Sequence, residues 1–177
     1  MSLIKYAVGL LALLALGGCG SPPLTPQQMR DQAKDPNGYI KVETFVVNRP
    51  YATVTQYIKR KSNECLNKSF DISVSQRCGF ASTCAQAYGT TKYIPVSNIS
   101  ASHAEFYTKF WDSEDRAVNT PKGDKLVFYV ADVTPKGGGT SIKLYYIDHE
   151  RYLWGREVIK AWANGEDPGC PILNGMY

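Results

Sequence analysis

No arrangement of residues in this 177-residue sequence has the pattern of a catalytic site. Its two histidines, His103 and His149, both fall near predicted boundaries of strands or helices. Ser102 precedes His103, but a nucleophile and its base must meet in space with a third, orienting group, which adjacent residues rarely do. The contiguous Asp148, His149 and Glu150 diverge at a strand-to-helix junction, a pattern typical of a capped helix. The sequence therefore predicts no catalytic residue and no enzyme.

The glycines at positions 137–139 are the residues most suggestive of a phosphate loop. They lead into a predicted strand rather than the N-terminus of a helix, and the lysine pattern of a phosphate-binding loop is missing. We interpret them as a hairpin turn. No cofactor is predicted.

Cysteine is the remaining residue type with distinctive chemistry. Besides Cys19, the chain has four cysteines, an even number that can form two disulfides: Cys65, Cys78, Cys84 and Cys170. Four cysteines allow three disulfide connectivities, one of which closes the short loop from Cys78 to Cys84 and joins Cys65 to Cys170. A zinc site is the alternative, but the spacings are not CxxC pairs and an oxidised thiol cannot bind zinc. Two disulfides and no metal are expected.

Tyrosines and lysines of the predicted strands form a candidate binding face. Strand residues two apart share a face, and these positions alternate with the apolar Phe128 and Leu144. If helices cover the apolar face, the other face stays partly open to a protein strand or loop, or to sugar rings. The candidate residues are Tyr107, Lys109, Tyr129, Lys143 and Tyr145.

The first 18 residues have the pattern of an export signal. Lys5 supplies the positive charge and residues 7–16 form an apolar run that is too short to span a bilayer. The following LGGC segment, which ends at Cys19, resembles the lipobox of bacterial lipoproteins. That resemblance implies cleavage before Cys19 and attachment of acyl chains to it, which would hold the mature protein in a membrane.

Charge and sorting signals narrow the expected location. The net charge of +4 falls to +3 when Lys5 is removed with the signal, an excess too small to predict a nucleic-acid partner. By the sorting rule of enteric lipoproteins, Gly20 and Ser21 lack the aspartate that retains a lipoprotein in the inner membrane. The resemblance therefore implies an anchor in the outer membrane, with the domain facing the periplasm, where thiols are oxidised.

Hydrophobic patterning predicts the elements that must position these residues. Alternation predicts a strand over 39–47, and a helix follows to about residue 66, with Asn48 as its cap and Pro50 in its first turn. Residues 67–100 show weaker strand patterns over 70–74 and 92–96, the second at an edge because of Pro95. Residues 104–111, 125–133 and 141–148 predict an antiparallel meander, and Asp148 caps a last helix ending near residue 164.

The order strand, helix, several strands, helix predicts an α+β domain, with an antiparallel sheet of about five strands and two helices packed on one face. Residues 39–177 form this single domain. Residues 19–38 are polar and proline-rich, which predicts a flexible tether.

The predicted domain resembles two groups of bacterial lipoproteins. The element order is similar to the helix-grip or TBP-like domains of envelope lipoproteins, including BamC-type lipoproteins of the outer-membrane β-barrel assembly machinery. The segments FVVNRPY, ECL and WANGEDPGCP resemble recurring pieces of small uncharacterised proteobacterial lipoproteins. The second resemblance implies no known activity, but it favours the pairing of Cys65 with Cys170 because it places one cysteine after each helix.

Three function classes follow from the sequence. The preferred one is a lipid-anchored lipoprotein that binds another envelope protein as a non-enzymatic assembly or accessory factor. A binding module for cell-wall glycan or a small ligand is the alternative, and an envelope enzyme is the third. An unpaired sheet edge or exposed apolar patch would favour the first, an aromatic groove with paired acids the second, and acids or a histidine converging in a cleft the third.

Overall fold

The structure, a computed structural model, describes residues 21–77, 83–113 and 123–173. The predicted export signal, Cys19 and Gly20 lie outside these residues, as does Cys78 with its predicted bond to Cys84. The described part is an α+β domain built on one antiparallel sheet of six strands. The prediction of about five strands was therefore one strand short.

Five consecutive strands form a meander, and the first strand of the chain pairs with the last one at an edge of the sheet. Their spatial order is β1-β6-β5-β4-β3-β2 and all neighbours are antiparallel. The strand bounds are β1 Ile40–Val47, β2 Lys68–Arg77, β3 Thr83–Ile99, β4 Ala104–Asp112, β5 Gly123–Lys136 and β6 Gly139–Ile147. Strands β2 and β3 occupy the segment with the weakest sequence pattern. Gly137 and Gly138, both with positive φ, make the two-residue turn between β5 and β6, as the glycine run predicted.

Pro95 lies in an interior strand, where the sequence predicted an edge. β3 runs between β2 and β4, but its pairing with β2 ends at Lys68 and Tyr93. Beyond that pair, β3 has β4 as its one neighbour in the sheet, and Pro95 faces Thr108 of β4. Proline lacks the N–H of a ladder hydrogen bond, so it fits where one side of the strand carries no partner.

Two helices cover one face of the sheet, as predicted. They are α2 (Tyr51–Leu66) and α3 (Trp154–Asn164), and the second ends at Gly165, whose φ of 85° makes the left-handed C-cap. Their buried stripes meet the inward side chains of β4, β5 and β6. The core between them includes Val54, Ile58, Leu66, Val158, Ile159, Trp162, Phe106, Phe128, Ala131, Val133, Ile142 and Leu144.

The start of α3 differs from the predicted one. His149, rather than Asp148, caps a short 3-10 helix (Glu150–Tyr152), and its side chain accepts a hydrogen bond from the N–H of Arg151. α3 begins two residues after that turn. The histidine nitrogen can accept a hydrogen bond as a carboxylate does, so the capping role moves by one residue.

A disulfide joins Cys65 at the end of α2 to Cys170 in the tail beyond α3. The two residues are 105 positions apart in the chain, and Cys65 is buried. Lys61 adds an ion pair to Asp167 of the same tail, with 2.6 Å between Nζ and Oδ2. The tail is thereby fixed against the end of α2, the arrangement that the resemblance favours.

The segment predicted as a flexible tether contains a docked helix, α1 (Pro26–Gln32). Thr25 and Gln28 form a reciprocal capping box at its start, and Pro26 occupies the first turn. Met29 of this helix is fully buried against the sheet. The prediction was wrong because a single buried methionine and a capping box do not produce a visible apolar periodicity in seven residues.

Candidate binding surface

The sheet face opposite α2 and α3, called here the α1 face, is partly covered by α1. Met29 lies there in a second, smaller core whose other members come from β1, β5 and β6. They are Ile40, Val127, Val130, Tyr145 and Ile147. The N–H of Val127 also donates to the carbonyl of Pro23 at 2.7 Å, so the chain is fixed to the sheet from Pro23 onward.

Arg30 ties α1 to the sheet through two carboxylates. Glu105 of β4 and Asp132 of β5 are direct cross-strand partners, and two like charges at such positions repel each other. The Arg30 guanidinium binds both, at 2.5 Å to Glu105 and at 2.6 and 3.1 Å to the two oxygens of Asp132. The hydrogen bond to Asp132 raises the pKa of Arg30, which stays charged. The cation thereby neutralises two carboxylates whose mutual repulsion would otherwise destabilise the pairing of β4 with β5.

His103 lies at the margin of this cluster. Its Nε2 atom is 3.5 Å from Oδ1 of Asp132, while Asn98 donates to Glu105 at 3.1 Å. A histidine and two acids do meet here, the arrangement that would favour an enzyme. Arg30 binds both carboxylates, so the two acids take part in an ion-pair network that fixes α1 to the sheet. Among residues 21–77, 83–113 and 123–173, no group of three or more acidic, histidine or cysteine side chains is placed to hold a metal.

Tyr129 is not on the open face, contrary to the parity prediction. Opposite β5, Tyr107 pairs with Val130 and Lys109 with Val127, so Thr108 alone faces both Phe128 and Tyr129. This bulge turns both side chains toward the helices, because an extra residue reverses the alternation that follows it.

The bulge places the Tyr129 ring in the main core, fully buried. Its hydroxyl accepts a hydrogen bond from Thr108 at 3.1 Å, and its ring meets Trp154 edge to face at 6.2 Å between centroids. A Cβ atom added to Gly155 would lie 2.7 Å from the Tyr129 ring, so α3 approaches this ring as closely as a glycine allows. Tyr129 is therefore a core residue and leaves the list of binding candidates.

The other four candidates do lie on the α1 face, in different environments. Tyr145 is buried in the smaller core, where Arg30 and Lys143 approach its ring at 5.9 and 5.3 Å from the centroid. Tyr107 is half-buried against the same core. Lys109 is paired with Asp124 at 2.7 Å, and the hydrogen bond to Asp124 raises the pKa of the lysine. Of these four residues, Lys143 is the one that is exposed.

The exposed part of the α1 face lies at β1, which forms one edge of the sheet. Val42 is 42% exposed and Val46 is 52% exposed, with exposed Thr44 between them on the same face. Thr44 pairs across the strands with Lys143. We call these four residues the β1 patch: Val42, Thr44, Val46 and Lys143.

The valines of this patch are not among the binding residues predicted from the sequence. Residues 40–47 alternate in a way that predicts a strand, but apolar side chains occur on both of its faces. Alternation alone therefore does not indicate which face the helices α2 and α3 cover. Glu43 is the discriminating signal: its carboxylate binds Arg156 at 2.9 Å and Lys160 at 2.7 Å, both on α3. A glutamate that faces a basic helix places its neighbours Val42 and Thr44 on the other side.

A second concavity lies beside α3 and the disulfide-linked tail. It is an open groove with a volume of about 460 Å³. Its lining consists of Trp154, Val158 and Ala161 of α3 together with residues 168–172. Ile172 at its rim is 85% exposed. Among the described residues, Trp154 is the one aromatic side chain that lines this groove.

No protein-family model matches the chain, and no curated protein matches it significantly. Within the described ranges, no helix has the length and apolarity needed to cross a membrane. The function must therefore be inferred from the chain's own geometry.

Proposed function

We propose that this chain is a lipid-anchored envelope lipoprotein that binds another envelope protein through the β1 patch, as a non-enzymatic assembly or accessory factor. One observation carries the proposal. Two valines, 42% and 52% exposed, lie on either side of Thr44 on an edge strand of the sheet, and an exposed lysine lies across from Thr44. Exposed apolar side chains that are grouped on one face of a sheet commonly mark a contact surface for a partner protein.

The surroundings favour a protein partner over a glycan or a substrate. Tyr129 and Tyr145 are buried, so no pair of tyrosine rings is free on this face to stack on sugars. Arg30 binds the nearby acids Glu105 and Asp132, which gives these carboxylates a structural role in holding α1 on the sheet. The alternative is a module for cell-wall glycan or a small ligand, for which the groove beside Trp154 is the candidate site.

The proposed anchor and the docked α1 together set the position of the domain. If Cys19 carries the acyl chains, it lies four positions before Pro23, whose carbonyl accepts a hydrogen bond from β5. A fully extended chain spans at most about 3.6 Å per residue, so the sheet would lie within roughly 14 Å of the anchor. We propose an outer-membrane anchor and a periplasmic domain that stays close to the membrane. The order strand, helix, strand meander, helix supports the helix-grip resemblance as part of this proposal.

Replacing Cys19 by alanine tests the anchor. The variant is expected to lose metabolic labelling with palmitate and to leave the membrane fraction, because no other cysteine follows a small-residue pair after an apolar run. Cys65 and Cys170 are bonded to each other and cannot substitute as acyl acceptors. Unchanged labelling of the variant would refute the lipoprotein assignment.

Replacing the β1 patch tests the binding. We expect the triple variant Val42→Ser, Val46→Ser and Lys143→Glu to lose at least ten-fold in recovery of an envelope partner with the full-length protein from detergent-solubilised envelopes. Its thermal midpoint should change little because all three side chains are exposed. Lys59→Glu, an exposed charge reversal on α2, is the matched control and should keep full recovery. Equal recovery by the triple variant and the wild type would contradict the proposal.

A further inference from the structure

The backbone of β1 presents an open edge. The N–H of Asp148 donates to the carbonyl of Tyr39 at 2.8 Å, in line with the register that pairs β1 with β6. Backbone groups of successive residues in an antiparallel strand turn to alternate sides. The backbone N–H and C=O groups of the odd-numbered residues of β1 therefore point toward β6. Those of Val42, Thr44 and Val46 point away from β6, at the open edge of the sheet. In the described residues, β1 has β6 as its one strand neighbour.

The three outward residues are symmetric about Thr44. In an antiparallel pair of two identical strands centred on Thr44, Val42 lies opposite Val46 of the second copy, and Thr44 lies opposite itself. Each exposed valine thereby gains an apolar cross-strand neighbour, and β-branched pairs of this kind stabilise a sheet. We infer that β1 pairs antiparallel with β1 of a second copy of this chain, with Thr44 on the two-fold axis.

Side-chain pairing favours this register over those centred on Glu43 and on Val42. Centred on Thr44, the pairing places Glu43 opposite Phe45 and Lys41 opposite Val47, so no like charges meet. A pairing centred on Glu43 would oppose two carboxylates, which is destabilising. A pairing centred on Val42 would place Val46 opposite Gly38 and leave it without an apolar neighbour. Glu43 also enters the contact already bound to Arg156 and Lys160.

The edge lacks the usual protection against such pairing. β1 has eight residues without proline, and its pairing with β6 runs without a register shift. Natural edge strands are commonly blocked by bulges, prolines or outward charges. In β1, the one lysine, Lys41, has its Nζ atom 3.3 Å from the Pro36 carbonyl of its own chain.

The resulting symmetry agrees with a shared membrane. A two-fold axis that continues an antiparallel sheet is perpendicular to that sheet, so the α1 face of both copies lies on one side. Both α1 helices, and with them the segments that lead to the proposed anchors, leave on this side. This point rests on the proposed lipid anchor, whereas the edge pairing itself does not.

The contact is small, so the dimer should be weak in solution. An eight-residue edge buries less than the roughly 800 Å² per partner of a standard interface. Confinement of both copies to one membrane raises their effective concentration and compensates for this. The measurement therefore uses the full-length chain in its membrane.

Single cysteines in β1 test the pairing and its register. In a hydrogen-bonded antiparallel pair the Cα atoms are about 5.5 Å apart, within the range of a disulfide. We expect full-length Thr44→Cys to give a covalent dimer on mild oxidation or with a short thiol cross-linker. Val42→Cys alone should give at least ten-fold less, and its co-expression with Val46→Cys should restore the dimer. Lys59→Cys, exposed on α2, is the control for random collision.

Each outcome bears on the inference. A Thr44→Cys yield no higher than that of Lys59→Cys would overturn it, and so would a dominant Val42→Cys homodimer, which indicates a different register. Val46→Lys added to Thr44→Cys should lower the yield, because it brings a charge into the contact. Lys143→Glu should leave the cross-link intact while weakening partner recovery, so failure of the dimer and failure of the proposed function are distinguishable.

Discussion

Replacing Cys65 and Cys170 together by alanine is expected to lower the free energy of unfolding by about 2–4 kcal/mol, the typical value for a native disulfide. The bond spans 105 positions, so its loss frees a long loop in the unfolded chain. In the folded chain, it releases the tail from the buried end of α2. Urea denaturation of the variant and the wild type measures the difference.

Asp167→Asn is the matched control for this prediction. It removes the ion pair with Lys61 from the same tail but keeps the disulfide, and an exposed pair contributes little. The control should therefore unfold close to the wild type. A double cysteine variant as stable as the control would show that the tail adds nothing to the domain.

Tyr129→Ala is expected to be the most destabilising single substitution at a candidate residue, by about 3–5 kcal/mol, the usual cost of removing a buried aromatic ring. The ring is fully buried between Thr108 and Trp154. Tyr129→Phe keeps the ring and loses one hydrogen bond, which costs about 1 kcal/mol. Tyr107→Ala, at a half-buried position of the same predicted set, should cost clearly less. Equal losses for Tyr107→Ala and Tyr129→Ala would contradict the placement of Tyr129 in the core.

Alkaline pH provides an independent measurement of the same burial. Burial raises the pKa of Tyr129 to about 12, whereas an unfolded tyrosine titrates near pH 10. Burial of the neutral phenol therefore contributes its full stabilisation below pH 10, where the tyrosine is protonated in both states. Between pH 10 and 12 the unfolded state loses this proton first, so the free energy of unfolding falls by about 1.4 kcal/mol per pH unit. Tyr129→Phe should flatten the decline in stability over this range.

The regular elements could be predicted from the sequence because their patterns are local. The strand over 39–47 and the helix that follows it show their own periodicity, and the turn at Gly137 and Gly138 needs only two residues of suitable conformation. The end of α3 is equally local, because Gly165 is one of the few residues that adopt a left-handed C-cap without strain.

The candidate site depends on features that the sequence does not display. The bulge at Phe128 and Tyr129 is set by the register between β4 and β5, and it reverses the facing of one candidate residue without any proline or glycine to signal it. Docking of α1 depends on the acids Glu105 and Asp132 meeting across two strands, 27 positions apart, where Arg30 binds both of them. Both features result from pairing between distant segments.

The roles of the two sheet faces follow from these long-range pairings. Tyr129 fills the core under α2 and α3, while α1 and Arg30 cover the centre of the other face. What remains open is the β1 edge with its two valines. A partner surface is therefore expected at this edge rather than among the tyrosines of the predicted binding face.

A photo-reactive amino acid at position 143 of the full-length protein, activated in intact cells, tests the central claim most directly. Lys143 is exposed and lies across from Thr44 in the β1 patch, so a bound partner must contact it. The account predicts a covalent adduct with an envelope protein other than this chain, and no such adduct from position 59 on α2. Failure of position 143 to give an adduct above that of position 59 would contradict the account.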